Sequence, residues 1–236
     1  MKRTVIISGG TKGLGREISL AFARSRCFVV GLYAADILAA QELDALLAGA
    51  GLAGISLKHD VAAAAPALWT LPEIQSADQL VLVHNACASF APVPMHQLTW
   101  EDFENNHRVA VKGAWECSQP LIRLMLRKKA GTIITVLTSA IEGAAPKGFA
   151  AYLTAKHALR GFTLALAAEY APRGLKIFSV SPGYMETPLT GQWDHRMRET
   201  IRGHAGRISI PSVAACQIVE LADGDKVPGQ GENYSI

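Results

Sequence analysis

RTVIISGGTKGLGREISLAFARS, residues 3–25, passes from an apolar β-branched run through a cluster of glycines into a segment of helical periodicity. A run that is apolar at nearly every position is a strand covered on both faces. Gly9, Gly13 and Gly15 let the chain turn tightly as it leaves that strand. They also let the backbone approach a pyrophosphate seated over the amino end of the helix that begins near Leu14. A glycine cluster by itself is also an ordinary turn, but its place between a first strand and an amphipathic helix is the context that dinucleotide binding requires.

The alternation continues along the chain. Apolar runs recur at 27–32, 53–57, 79–84, 132–137 and 175–180, separated by helical segments such as 35–49 and 99–129. This order predicts a doubly wound α/β fold, a parallel sheet with helices on both faces. No repeat or linker interrupts the sequence, so residues 1–236 read as one domain. Half the residues are hydrophobic and 18% are charged, which suits a globular chain. A net charge of +3 is too weak and too scattered to suggest a nucleic-acid partner. The start MKRTVIISGG lacks a signal peptide's hydrophobic region and no apolar span of about 20 residues follows, so a cytoplasmic protein without a membrane partner is expected. Cys27, Cys87, Cys117 and Cys216 have neither CxxC nor metal-ligand spacing and read as core thiols. His59, His84, His107, His157 and His195 have no metal-like grouping, and no metal is expected.

YLTAK, residues 152–156, sets Tyr152 and Lys156 one helical turn apart, where both can point at one bound molecule. Joined to Gly9-x-x-x-Gly13-x-Gly15, the pair resembles the short-chain dehydrogenase/reductase family, including its 3-oxoacyl-carrier-protein reductases. The resemblance runs over nearly the whole chain. It includes Asp60 in HDV, HNAC at 84–87 where the family commonly has NNAG, Ser139 in TSAIEG, and SPGYMET at 181–187.

The family resemblance implies an oxidoreductase that interconverts a ketone and a secondary alcohol by hydride transfer, acting as a reductase. Hydride arrival leaves negative charge on the carbonyl oxygen, and a donor aimed there stabilises it. The family assigns that task to Ser139. Tyr152 would protonate the oxygen. A free phenol titrates near about 10, so Lys156 is expected to lower that value while also holding the nicotinamide ribose. The same resemblance places Gly9, Thr11, Lys12, Gly13, Leu14 and Gly15 around the cofactor at the first turn, with Tyr33 at the end of the second strand. It adds Asp60 and Val61 near the adenine, Asn85 and Ala86 after the fourth strand, Tyr152 and Lys156, then Pro182, Gly183 and Thr187, the last at the carboxamide.

Cofactor choice turns on what meets the adenosine ribose. A carboxylate at the end of the second strand binds the 2′-hydroxyl of NAD and repels the 2′-phosphate of NADP. Tyr33 occupies that place, Asp36 follows at a helix cap, and Lys12 matches a position that is basic in NADP-preferring relatives. NADP is expected; the alternatives are an NAD-dependent alcohol dehydrogenase and a Lys12 that is merely a solvated loop lysine.

Two departures from the family pattern stand out. Cys87 replaces the glycine of NNAG, and Ala110 in NHRVAVKG (106–113) replaces the asparagine of a water-linked relay to the lysine. Turnover is then slower, served by Asn106 or His107 instead, or lost, which leaves a nucleotide-binding regulator as the reading outside the enzymes. Beyond Ser181, Tyr184, Met185, Leu189, Trp193 and Met197 suggest a mixed apolar mouth for a small-molecule carbonyl substrate. Arg196, Arg198, Arg202 and His204 read as a solvated helix face, with an anionic substrate as the alternative. Arg127, Lys128, Lys129 and Arg173 resemble in position a docking surface for a carrier-tethered acyl group. Trp115 and Met125 read as core or subunit contacts in an expected homodimer or homotetramer.

Overall fold

Alternate residues of the central strands face opposite layers, and this period of two organises the protein. In the computed structural model, which describes residues 2–64, 68–143, 145–205, 207–224 and 231–236, Val5 and Ile7 of β1 (Arg3–Ser8) enter one apolar cluster and Ile6 enters the other. The first cluster is covered by α1 (Gly13–Arg24), α2 (Ile37–Gly49) and α9 (Pro211–Asp223). The second is covered by α3 (Pro72–Gln75), α5 (Gly113–Lys128) and α6 (Ala150–Tyr170). Strands with two buried faces have no room for polar alternation, which is why they read as continuous apolar runs.

The other strands are β2 (Phe28–Tyr33), β3 (Gly54–Lys58), β4 (Gln79–His84), β5 (Gly131–Val136), β6 (Lys176–Ser181) and β7 (Asn233–Ser235). Among the described residues they form one parallel sheet in the order β3-β2-β1-β4-β5-β6-β7. The six expected strands are present, each within a residue of its expected bounds. β7 was not expected, because its three residues, NYS, carry no apolar run.

The helical segment expected at 99–129 is α4 (Trp100–His107), a π-helical turn at Arg108–Lys112, and α5. Ala110 lies in that turn and packs with Ala114, Leu137, Ala155 and Leu159, so its methyl group meets an apolar environment beside α6. After β6 come two shorter helices, α7 (Pro188–Gly191) and α8 (His195–His204). Among the described residues, no helix is long and apolar enough to cross a membrane.

Candidate functional site

β1 and β4 are adjacent, yet the chain leaves them toward opposite edges of the sheet. Such a reversal opens a crevice beyond the carboxyl ends of the two strands, where open α/β sheets bind ligands. A cleft of about 1730 Å³ occupies this place, and every site residue expected from the sequence, from Gly9 to Thr187, borders it. Its volume exceeds the roughly 300–1,000 Å³ of a drug-sized pocket and suits a dinucleotide with a second molecule.

The turn between β1 and α1 is a cradle that side chains would fill. Gly9 and Gly13 have φ of +64° and +55°, and a Cβ on Gly15 would lie 2.0 Å from the Gly9 carbonyl oxygen. Lys12 caps α1 with extended backbone and no side-chain cap bond, and the first turn contains no acid. The first N–H groups of α1 are therefore left for an anion, and the residues present fit a pyrophosphate.

Ser8 and Asn85 lock this turn to the end of β4. The Ser8 hydroxyl accepts from the Asn85 and Ala86 N–H groups at 2.9 and 3.0 Å and donates to the Val83 carbonyl at 3.2 Å. The Asn85 amide donates to the Ser8 and Gly9 carbonyls at 3.1 and 3.0 Å. Asn85 thus holds the cradle as well as bordering the cleft. Ser8 was not singled out in the sequence; a small hydroxyl closing an apolar strand was its one local signal.

Beside the cradle Lys12 is exposed, as a solvated loop lysine would be, and it also forms an ion pair. Its Nζ lies 3.2 Å from Asp36 Oδ2, while Asp36 Oδ1 accepts the Ala39 N–H and caps α2 as expected. The Ala39 bond and then Lys12 hold the Asp36 carboxyl below its ordinary value. Asp36 therefore borders the cleft as well as capping a helix. Asp60 accepts the Ala62 N–H at 3.0 Å and pairs with Arg108 at 2.8 Å, a partner contributed by the π turn that the linear sequence did not reveal.

Ser139, Tyr152 and Lys156 also border the cleft. Ser139 opens a short 3₁₀ turn whose position is fixed by its N–H, which donates to the Pro182 carbonyl at 2.8 Å. Lys156 is 3% exposed; its ammonium donates to the Val136 carbonyl at 2.7 Å and lies 5.6 Å from the centre of the Tyr152 ring. Burial lowers the Lys156 pKa. The Tyr152 pKa is raised, by burial first and by the neighbouring Cys87 second, against a hydrogen bond with Thr138. The shift runs opposite to the lowering expected from a neighbouring cation, because desolvation of the phenolate dominates.

Cys87 is half-buried beside this pair, with its Sγ 3.3 Å from the Ala88 carbonyl. Burial pushes the thiol up, with Lys156 acting against it. Cys27 and Cys117 are core thiols, but Cys216 is exposed and Cys87 borders the cleft, which corrects the expectation that all four lie in the core.

Tyr184, Met185, Leu189, Trp193 and Met197 line the mouth as expected, together with Phe90 and Phe149, which the sequence left unmarked. Arg196 is exposed and Arg202 pairs with Glu186 at 3.0 Å, as befits a solvated face, whereas Arg198 is half-buried. The His204 side chain lies outside the described residues. Of the basic residues near β5, Lys128 donates to the Gln75 and Ala77 carbonyls and fastens α5 to α3. Arg127, Lys129 and Arg173 are exposed, Arg173 lying 5.8 Å from the centre of the Tyr170 ring. Met125 is fully buried, while Trp115 is 45% exposed on α5.

This geometry has relatives. The family model for short chain dehydrogenases matches residues 3–198. The 3-oxoacyl-[acyl-carrier-protein] reductase FabG of Pseudomonas aeruginosa is 28% identical over an alignment 245 positions long, covering 98% of this chain and 97% of that protein. A solved short-chain dehydrogenase/reductase from Serratia marcescens superposes with a TM-score of 0.86 at 25% identity, over 99% of this chain and 96% of that one. A Beutenbergia cavernae protein crystallised with NADP at low occupancy gives 0.85 at 26%, over 99% and 94%. With the glycine cradle, the Tyr152–Lys156 pair and a match over most of its length, this chain belongs to the short-chain dehydrogenase/reductase family of oxidoreductases.

Proposed function

We propose that this chain, acting as one unit over residues 1–236, is an NADPH-dependent ketoreductase. The observation that carries the reading is the pairing of Tyr152 with a buried Lys156 in a cleft that the glycine cradle of α1 also borders. A bound reduced nicotinamide supplies the hydride received by the carbonyl carbon. The Ser139 hydroxyl donates a hydrogen bond to the oxygen as negative charge develops there. Tyr152 then gives that oxygen its proton. A raised proton affinity keeps the phenol protonated at neutral pH, and an alkoxide is a stronger base still, so the transfer runs toward the alcohol. Lys156 holds the ribose, and its bond to Val136 fixes the ammonium relative to the sheet.

Support for a carbonyl substrate comes from the Pseudomonas relative, named for reduction of 3-oxoacyl groups, and support for NADP from the Beutenbergia relative's ligand. Tyr33 in place of a carboxylate, with Lys12 nearby, points the same way. The Lys12–Asp36 pair favours a second reading, NAD, because it puts a carboxylate beside the ammonium that would meet the 2′-phosphate. Titration of both reduced cofactors separates the two. NADPH is expected to bind at least about tenfold more tightly, equivalent to about 1.4 kcal/mol. Lys12→Ala is expected to weaken NADPH selectively, and Asp36→Asn, which keeps a competent cap, to tighten it. Equal affinities would sink the NADPH assignment; tighter NADH binding that Asp36→Asn abolishes would establish the NAD reading.

A carrier-tethered acyl group is a narrower version of the substrate proposal. Lys128 is committed to α3, which leaves Arg127, Lys129 and Arg173 as the exposed basic groups for docking.

A further inference from the structure

We propose that the substrate end of the cleft selects a planar aryl ketone and that Phe90 determines the preference; the proposal rests on the ketoreductase reading above. Phe90, on the loop after β4, stacks on Tyr152 with ring centres 4.7 Å apart and planes at 15°. Phe149 and Trp193 meet Phe90 edge-on at 5.3 and 5.4 Å and meet each other at 5.7 Å. Phe90 therefore packs against three other rings. Its backbone is held as well. The Trp193 indole N–H donates to the Phe90 carbonyl at 2.7 Å, and the adjacent Ser89 hydroxyl donates to Gln192 at 2.8 Å. These two bonds tie the loop after β4 to the segment after α7 across 103 residues of sequence.

Phe149 and Trp193 are 6% and 5% exposed, whereas Phe90 is half-buried and borders the cleft. It is thus a fixed, flat, apolar wall touching the proposed proton donor. A carbonyl that takes the Tyr152 proton brings its substituents against this wall. Charged groups nearby are engaged elsewhere or face solvent: Glu142 accepts from Asn233 and Ser235, Arg207 reaches the Ile236 carbonyl, and Lys147 is exposed. A flat ring matches a flat ring through offset or edge geometry. A flexible alkyl chain of equal carbon count has rotors to freeze for the same burial. Together these differences are worth about tenfold in specificity.

The test compares kcat/KM for acetophenone and 2-octanone, with an acetoacetyl thioester as the third arm. Wild type is expected to favour acetophenone over 2-octanone by about tenfold or more. Phe90→Leu, which keeps apolar bulk and loses the ring, is expected to reduce that ratio to within about twofold, and Phe90→Tyr to retain it, with cofactor affinity the same in all three. Equal or better use of 2-octanone or the thioester would overturn the aryl preference, and a ratio unchanged in Phe90→Leu would overturn the role of Phe90; either leaves the ketoreductase reading standing. Calorimetric binding of the two ketones to cofactor-loaded Tyr152→Phe supplies a readout without turnover. Tighter binding of acetophenone there, with no ketone reduced by wild type, would support the aryl site and overturn the ketoreductase reading. No binding preference would overturn the aryl site.

Discussion

Tyr152 holds its proton more tightly than a phenol in water, because burial and the Cys87 thiol outweigh its bond with Thr138. A donor in a reduction benefits from that, since it must stay protonated until the alkoxide forms. Tyr152→Phe removes the hydroxyl alone. Its kcat is expected to fall by 10²–10⁴-fold, the usual contribution of a positioned acid, with cofactor affinity nearly intact. Retention of more than about a tenth of the activity would place the main donor elsewhere. The Tyr152–Lys156 spacing was readable because positions four apart share a helix face. The direction of the tyrosine shift was not, since it depends on burial and on residues 87 and 138 brought in from other elements.

The strands were legible where both faces are covered, and illegible at β7, a three-residue edge with no apolar run to mark it. The π turn was hidden because small residues such as Ala110 and Ala114 fit a continuous helical pattern equally well. That turn bears on the missing asparagine. Asn106 is 3% exposed; its amide donates to the Asp102 carbonyl at 2.9 Å, while Oδ1 has no partner among the described residues. His107 is bonded to the Phe103 carbonyl and stacked on the Phe103 ring, which leaves Asn106 the better substitute. Asn106→Ala is expected to slow turnover at least about tenfold, roughly 1.4 kcal/mol of barrier, without weakening cofactor binding. Adding Ala110→Asn should restore part of the loss. Full activity in both Asn106→Ala and His107→Ala would assign the relay to solvent.

At the end of β4, His84 is buried with Nε2 3.0 Å from the Ser118 hydroxyl of α5, and burial depresses its pKa to about 3. An unfolded histidine titrates near about 6.5, so between those values the unfolded chain binds the extra proton. The stability contributed by neutral His84 is complete above about pH 6.5 and is lost as pH falls toward about 3. Between about pH 7.5 and about pH 5 the loss is about 2 kcal/mol. His84→Asn, with the residue commonly found there in the family, should remove that part of the acid dependence in urea unfolding. An unchanged difference between the two pH values would mean that His84 is not its source.

Across the full sheet, the alternation of strands and helices placed the cleft, because a chain that reverses direction between β1 and β4 must open it at their carboxyl ends. The substrate wall could not be read this way. Phe90, Phe149, Tyr152 and Trp193 come from three separated segments, and only their meeting makes them a surface. The proposed reaction is tested by NADPH deuterated at its transferable position, incubated with the protein and acetophenone in ordinary water. The prediction is an alcohol that carries deuterium on its carbinol carbon, formed in step with cofactor oxidation and abolished in Tyr152→Phe. Tight NADPH binding with no deuterated alcohol from acetophenone or any other ketone would contradict it, and would mark the chain as a nucleotide-binding protein without turnover.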